Sequence, residues 1–222
     1  MKLTVVDTTG KELRQIDAAD DVFGIEPNGS VLHQAYVAQM ANRRGGNANT
    51  KTRGEVAGST AKTRKQKGSG NSRQGSIKGP THVGGGISHG PRAHSFAKGL
   101  PRQMGRLALR SALSSHAAGG SITVVEGLVP SEPKTKEVLA TLAAIGVQRT
   151  ALVVSGEYEV NLTRASRNIE AVKALPAANL NVVDLINAHH VIMTEDAVRK
   201  VEALWSGANL KPARGRREAV NA

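Results

Sequence analysis

Cysteine is absent from the 222 residues, which excludes a disulfide framework, a thiolate metal site and a Cys nucleophile. Aromatic residues make up only 2% of the chain, so a core has to be packed from Val, Leu, Ile and Ala. No apolar run approaches the roughly 18–20 residues of a membrane-spanning helix. The amino-terminal stretch MKLTVVDTTGKEL meets an acid at Asp7 and has no long apolar region, so no secretory signal is expected. These absences lead to the expectation of a soluble, cytoplasmic protein with no membrane partner.

Negative charge is scarce in one region only. Residues 43–106 hold 14 Lys/Arg against a single acid, Glu55, and 14 of the 24 glycines. The other 158 residues hold 16 Lys/Arg against 17 acids, so the formal net charge of +12 resides wholly in the basic segment. An excess of that size points to a polyanionic partner such as a nucleic acid.

Outside that segment the hydrophobic pattern alternates between two periods. KLTVVD and KELRQI, split by Thr9-Gly10, read as a hairpin. The stretch SVLHQAYVAQMANRRGG reads as a helix, with Ser30 as its cap, Leu32, Tyr36 and Met40 repeating every four residues, and Arg43 and Arg44 suiting its C-terminal dipole. PRQMGRLALRSALSSHAAGG is a second helix, in which Arg102, Arg106 and Arg110 fall on one stripe and Met104, Leu107 and Ala108 can face a core. After it SITVVE, TALVVSG, the region of Val172 and HHVIMT read as strands. PKTKEVLATLAAIG, NLTRASRNIEAV, LNVVDLIN and EDAVRKVEALWSG supply helices between and after them, the last capped by Thr194 and holding Trp205 on its core side. Short apolar strands separated by helices predict an α/β fold, a three-layer domain with a mostly parallel sheet.

A long extended basic loop interrupts that domain. The expected organisation is a discontinuous globular domain at 1–44 and 102–210, an arm at 45–101 and a basic tail at 211–222. Loops beyond about 12–15 residues are uncommon in compact domains and are usually functional or disordered. With no core of its own, the arm is expected to order when a partner surrounds it. Its Lys and Arg neutralise phosphates and release condensed counterions, its glycines let backbone approach closely, and Gln66, Asn71, Ser72, Gln74 and Ser76 can hydrogen-bond to phosphate, sugar or base edges.

Catalytic signatures are missing. Gly68-Ser69-Gly70 and Gly84-Gly85-Gly86 do not complete G-x-G-x-x-G, and neither a phosphate-binding G-x-x-x-x-G-K-[ST] nor a G-x-S-x-G elbow occurs. A nucleotide-binding α/β enzyme is therefore the weakest alternative, and no cofactor is expected. His82, His89 and His94 sit among cations without tight ligand spacing, so no metal site is expected there. His189 and His190 read as a structural pair. A DNA-binding architectural protein is the stronger alternative, although the arm lacks apolar wedges and a helix-turn-helix is not obvious.

The arm motif separates these readings. KTRGEVAGSTAKTRKQKGSGNSRQGSIKGPTHVGGG resembles the signature of the bacterial large-subunit ribosomal protein four family. Lys51 to Val56, Lys65 to Gly70, Arg73 to Lys78 and the triple glycine at Gly84 to Gly86 carry the match. LALRSAL from Leu107, PKTK from Pro133 and MTEDAV from Met193 extend it over nearly the whole chain. The resemblance implies a structural, non-enzymatic protein of the large ribosomal subunit that binds ribosomal RNA and supports assembly. It implies an α/β domain on the subunit surface and an arm that reaches the polypeptide exit tunnel. On that resemblance Arg64, Lys65, Gln66, Lys67, Gly68, Ser69 and Gly70 form the tunnel-lining tip, past which the nascent polypeptide moves. Arg53, Arg73 and Lys78 then contact RNA along the stem. The full RNA-facing set also takes in Arg43, Arg44, Lys51, Lys62, Gln74, Ser76, Arg92, Lys98, Arg102, Arg106 and Arg110. Neighbouring large-subunit proteins are the further partners implied. Arg64 stands where the family commonly has an aromatic ring, so a guanidinium replaces a stacking group at the tip.

Overall fold

The structure, a computed structural model, describes residues 1–206. The basic tail expected at 211–222, and the last four residues expected in the globular domain, lie outside the described residues. The chain divides into two compact units, one of Met1–Met40 with the described chain from Gly99, the other of Ala41–Lys98.

In the first unit, strands β1 (Lys2–Val6) and β2 (Glu12–Asp17) pair antiparallel as the predicted hairpin. Asp7 closes its turn, accepting the Thr8 N–H on Oδ1 at 2.7 Å and the Gly10 N–H on its carbonyl at 2.9 Å. Four further strands, β3 (Ile122–Val125), β4 (Ala151–Ser155), β5 (Val172–Pro176) and β6 (His190–Met193), complete one six-stranded sheet. Its order is β2-β1-β3-β6-β4-β5, parallel throughout except for the β1–β2 pair.

Because side chains alternate along a strand, the sheet feeds two cores. Leu152, Val154, Val191 and Met193 point to one face, where they meet α1 (Asp20–Phe23), α2 (Gly29–Arg43), α3 (Arg102–Ala118), α6 (Val182–Asn187) and α7 (Glu195–Trp205). Ala151, Val153 and Ile192 point to the other, against α4 (Thr135–Ala144) and α5 (Val160–Ser166). The result is the expected three-layer α/β domain. Trp205 packs partly buried against the first core, as its position on α7 predicts.

Local chemistry sets the helix boundaries. Thr194 Oγ1 accepts the Ala197 N–H at 3.2 Å and two acids, Glu195 and Asp196, occupy the first turn of α7, where the N-terminal dipole favours them. Helix α2 differs from its predicted start. Ser30 lies inside it, and Asn28 caps it instead, accepting the Val31 N–H on Oδ1 at 3.1 Å. Its fully buried residues are Ala35 and Ala38, small side chains that allow close approach, while Met40 is exposed. The short α1, not expected from sequence, is held by Ser114, whose hydroxyl donates to the Val22 carbonyl at 3.1 Å and accepts the Ile25 N–H at 3.0 Å.

Candidate nucleic-acid interface

The second unit has no regular helix or strand beyond the end of α2, as the loss of periodicity predicts. Its two limbs nevertheless hydrogen-bond to each other from base to tip. At the base, the Asn42 side chain accepts the Lys98 N–H at 2.7 Å and donates to the Lys98 carbonyl at 3.3 Å. One step out, the His94 N–H reaches the Gly46 carbonyl at 3.1 Å, and a Cβ on Gly46 would overlap the His94 carbonyl. Thr50 and Lys51 then pair with Pro91 and Ile87, the Thr50 N–H donating at 3.1 Å and the Lys51 carbonyl accepting at 2.9 Å. Ser76 Oγ donates to the Ser59 carbonyl at 2.9 Å, and the Thr63 N–H to the Gly75 carbonyl at 3.2 Å. This is a ribbon of paired limbs without β periodicity.

Two polar clusters brace it. Glu55 receives the Thr52 N–H at 2.8 Å and the Thr52 hydroxyl at 3.1 Å, and Arg92 Nη1 from the other limb lies 3.0 Å and 3.2 Å from its two oxygens. The Thr52 N–H, then the Arg92 guanidinium and the Thr52 hydroxyl, hold the Glu55 carboxyl below the usual carboxylate range. Near the base, the Arg44 guanidinium sits 3.9 Å from the centre of the Phe96 ring, and the His94 ring meets that ring edge-on at 4.4 Å. Arg44 is thereby stacked within the unit.

Past the Thr63–Gly75 pair no backbone bond crosses the limbs, and residues 64–73 are all exposed. The predicted tip, Arg64, Lys65, Gln66, Lys67, Gly68, Ser69 and Gly70, lies wholly in this open turn. Gly68 and Gly70 take φ of +87° and +64°, the left-handed region where a Cβ is strained. Within it Gln66 Oε1 accepts from Lys62 Nζ.

The remaining candidates divide by surroundings. Arg43, Lys51, Arg53, Arg73, Lys98 and Arg102 are exposed. Arg53, Gln74, Ser76 and Lys78 are brought around one hollow. Arg92 is committed to Glu55, and Ser76 to bracing the ribbon. On the other unit, Arg106 and Arg110 are half-buried in α3, and Arg110 Nη1 donates to the Asp21 carbonyl at 3.4 Å. Sequence reasoning missed Asn42, Phe96 and Glu55 as organisers. Of these only Glu55 leaves a legible sign, the Thr52-x-x-Glu55 spacing of a capping box. The arm also exposes Ile77, Val83 and Ile87, so it is not devoid of apolar side chains at its surface.

Among the described residues no three His, Cys, Asp or Glu side chains are placed to hold a metal ion. None of the described helices is long and apolar enough to cross a membrane. His189 is held by Thr150, its Nδ1 lying 2.8 Å from the Thr150 hydroxyl.

The profile of the Ribosomal protein L4/L1 family matches residues 16–204. The chain belongs to this family. A large ribosomal subunit protein uL4 of Dehalococcoides mccartyi is 42% identical over 205 residues, 92% of this chain and 98% of the relative. Those of Brevibacillus brevis and Desulfatibacillum aliphaticivorans are 45% and 40% identical over 201 residues, 90% of this chain and 97% of each relative. The resemblance read from the arm motif is thus confirmed along the chain. Membership of the L4/L1 family removes the nucleotide-binding enzyme as a reading, since its proteins are structural.

Proposed function

We propose that this L4/L1-family protein is a cytoplasmic, structural constituent of the large ribosomal subunit that binds ribosomal RNA through unit Ala41–Lys98 and supports assembly. The observation that carries the reading is electrostatic and geometric together. Twelve Lys/Arg lie on two braced limbs with one acid among them, Glu55, and that acid is spent on Arg92. The other cations meet no carboxylate of their own unit, so the ribbon carries a self-repelling field that phosphates relieve. A ribbon braced from within enters a crowded RNA fold at less ordering cost than a loose loop.

On the same reading the open turn at Arg64–Gly70 lines the polypeptide exit tunnel and touches the nascent chain, and neighbouring large-subunit proteins are its protein partners. Its exposure and its two left-handed glycines support a turning point that needs no packing of its own. The globular body at 1–44 and 102–210 anchors the arm, with Arg102 the most exposed of the three stripe arginines.

The test is competition between a large-subunit ribosomal RNA fragment and duplex DNA of equal length across a salt series. The full chain is compared with one in which residues 46–96 are replaced by a short Gly-Ser link. RNA binding that outlasts DNA binding as salt rises, and that falls with the arm, supports the proposal. Equal salt slopes for RNA and DNA would sink it, leaving a generic polyanion grip.

A further inference from the structure

Between the two limbs of the arm lies a hollow of about 460 Å³, whose lining includes Arg53, Thr60, Gln74, Lys78, Thr81 and His82. The hollow is partly open to solvent, and its volume falls in the roughly 300–1,000 Å³ range of ligand clefts. Its walls are fixed by the chain. Ser76 Oγ bridges the limbs, donating to the Ser59 carbonyl and accepting the Lys78 N–H at 3.3 Å. A run of tight turns from Ser76 to Gly86 closes one end, ending where the Gly86 N–H meets the Lys78 carbonyl at 3.1 Å. There Gly86 presses on the backbone of Thr52 and Arg53, which seats Arg53 at the rim. The Lys78 stem lies against Gly58, its Cγ 3.6 Å from where a Cβ would stand.

The lining is chemically unfinished. Among the described residues, the side chains of Arg53, Thr60, Lys78, Thr81 and His82 make no hydrogen bond or ion pair within the protein. Gln74 makes only a 3.5 Å contact to Ser72. Two cations, two hydroxyls, an amide and an imidazole therefore share one cavity with no carboxylate among them.

Resting on the RNA-binding reading above, we propose that this hollow receives a single unstacked ribonucleotide. Arg53 and Lys78 neutralise its phosphate, the Gln74 amide pairs with the donor and acceptor of its base edge, and the His82 ring supplies a stacking face. Unpaired bases splayed from the RNA path are the elements that proteins read in this way, on base edges and aromatic planes. The site deepens the interface from a charged ribbon to one with a register point, a place where the RNA can sit in only one phase along the arm.

Gly75 provides the test. Gly75 lines the hollow, its φ is not left-handed and a Cβ there meets nothing within 4 Å, so Gly75→Leu adds bulk at the lining with no backbone clash and no change of charge. Ala61→Leu, at an exposed position that does not line the hollow, is the control. The probe is the large-subunit ribosomal RNA fragment bound by the full-length wild-type chain, read by affinity and by cross-linking followed by mass spectrometry. In the wild type, peptides from 53–82 are expected to cross-link to one unpaired nucleotide. Gly75→Leu is expected to lose that cross-link and about tenfold in affinity, the loss associated with one stacked base, while Ala61→Leu stays within about twofold of wild type. Gln74→Leu, which keeps the charge, is expected to retain the salt slope and weaken the cross-link. Equal affinities and an unchanged cross-link in Gly75→Leu overturn the nucleotide site while leaving RNA binding intact. If the wild type prefers RNA no more than DNA, the functional reading itself fails, and the two failures are told apart by that wild-type measurement.

Discussion

The Asn42 side chain holds both backbone groups of Lys98, accepting its N–H at 2.7 Å and donating to its carbonyl at 3.3 Å. One amide thus closes the neck of an arm of more than fifty residues. Asn42→Ala is expected to speed exchange of the Lys98 amide roughly tenfold, the scale of one or two hydrogen bonds lost. Thermal unfolding of the body is expected to stay unchanged, because Asn42 is exposed and outside its cores. An unaltered Lys98 exchange rate would show that the neck is held by something else.

The limbs also approach closely at Gly86, where a Cβ would overlap the backbone nitrogen of Arg53. Gly86→Ala is expected to push the limbs apart at a cost of about 1–3 kcal/mol, the usual range for overpacking a filled site. Tryptic cleavage after Arg53 should then quicken several-fold. Gly75→Ala, with open space at its Cβ, should be cleaved at the wild-type rate. Equal rates for the two variants would remove the close approach as a constraint.

Glu55 makes the arm sensitive to acid. Its carboxyl is held below an ordinary value of 4.5 by the Thr52 N–H, the Arg92 guanidinium and the Thr52 hydroxyl. A carboxylate whose folded pKa is depressed contributes fully above its unfolded value and loses that contribution as pH falls through the folded one. The Thr52 amide signal is therefore expected to be constant at neutral pH and to titrate with a midpoint below 4.5. Glu55→Gln should abolish the transition and loosen the stem at pH 7. A midpoint at or above 4.5 would mean that the carboxylate is not bonded as described.

In the body, Leu113 of α3 is fully buried in the first core. Leu113→Ala is expected to lower unfolding stability in urea by about 2–5 kcal/mol, the range for a buried leucine leaving a cavity. A loss under about 1 kcal/mol would show that the site collapses around the smaller side chain.

The body was legible because its code is local and periodic. The Asp7–Gly10 turn, the Thr194 cap and the alternating apolar strands each announce an element within a few residues. What failed there was a choice between neighbours, since Asn28 and Ser30 can both cap a helix and only the backbone decides between them. Strand order was not legible, because β6 enters the middle of the sheet after β4 and β5 have formed its edge. In the arm the charge and the family motif were plain, yet its bracing was hidden. Asn42 and Lys98 lie 56 positions apart, and Glu55 and Arg92 lie 37 apart, with no period to connect them. The hollow was half visible: Arg53, Gln74, Ser76 and Lys78 were identified as contacts, but nothing in the sequence said they share one cavity with Thr60, Thr81 and His82.

The place of β3 in the sheet has a consequence for the order in which the protein comes into being. Strand β1 finds its parallel partner only in β3, on the far side of the arm in sequence. When Lys98 has been added, a chain growing from its amino end owns one hairpin, α1 and α2, and none of the sheet's four later strands. Every cation of the arm therefore exists before the body that is to carry it can close. For that interval the growing chain carries the arm's full positive charge with no closed sheet behind it, so any polyanion nearby can bind it.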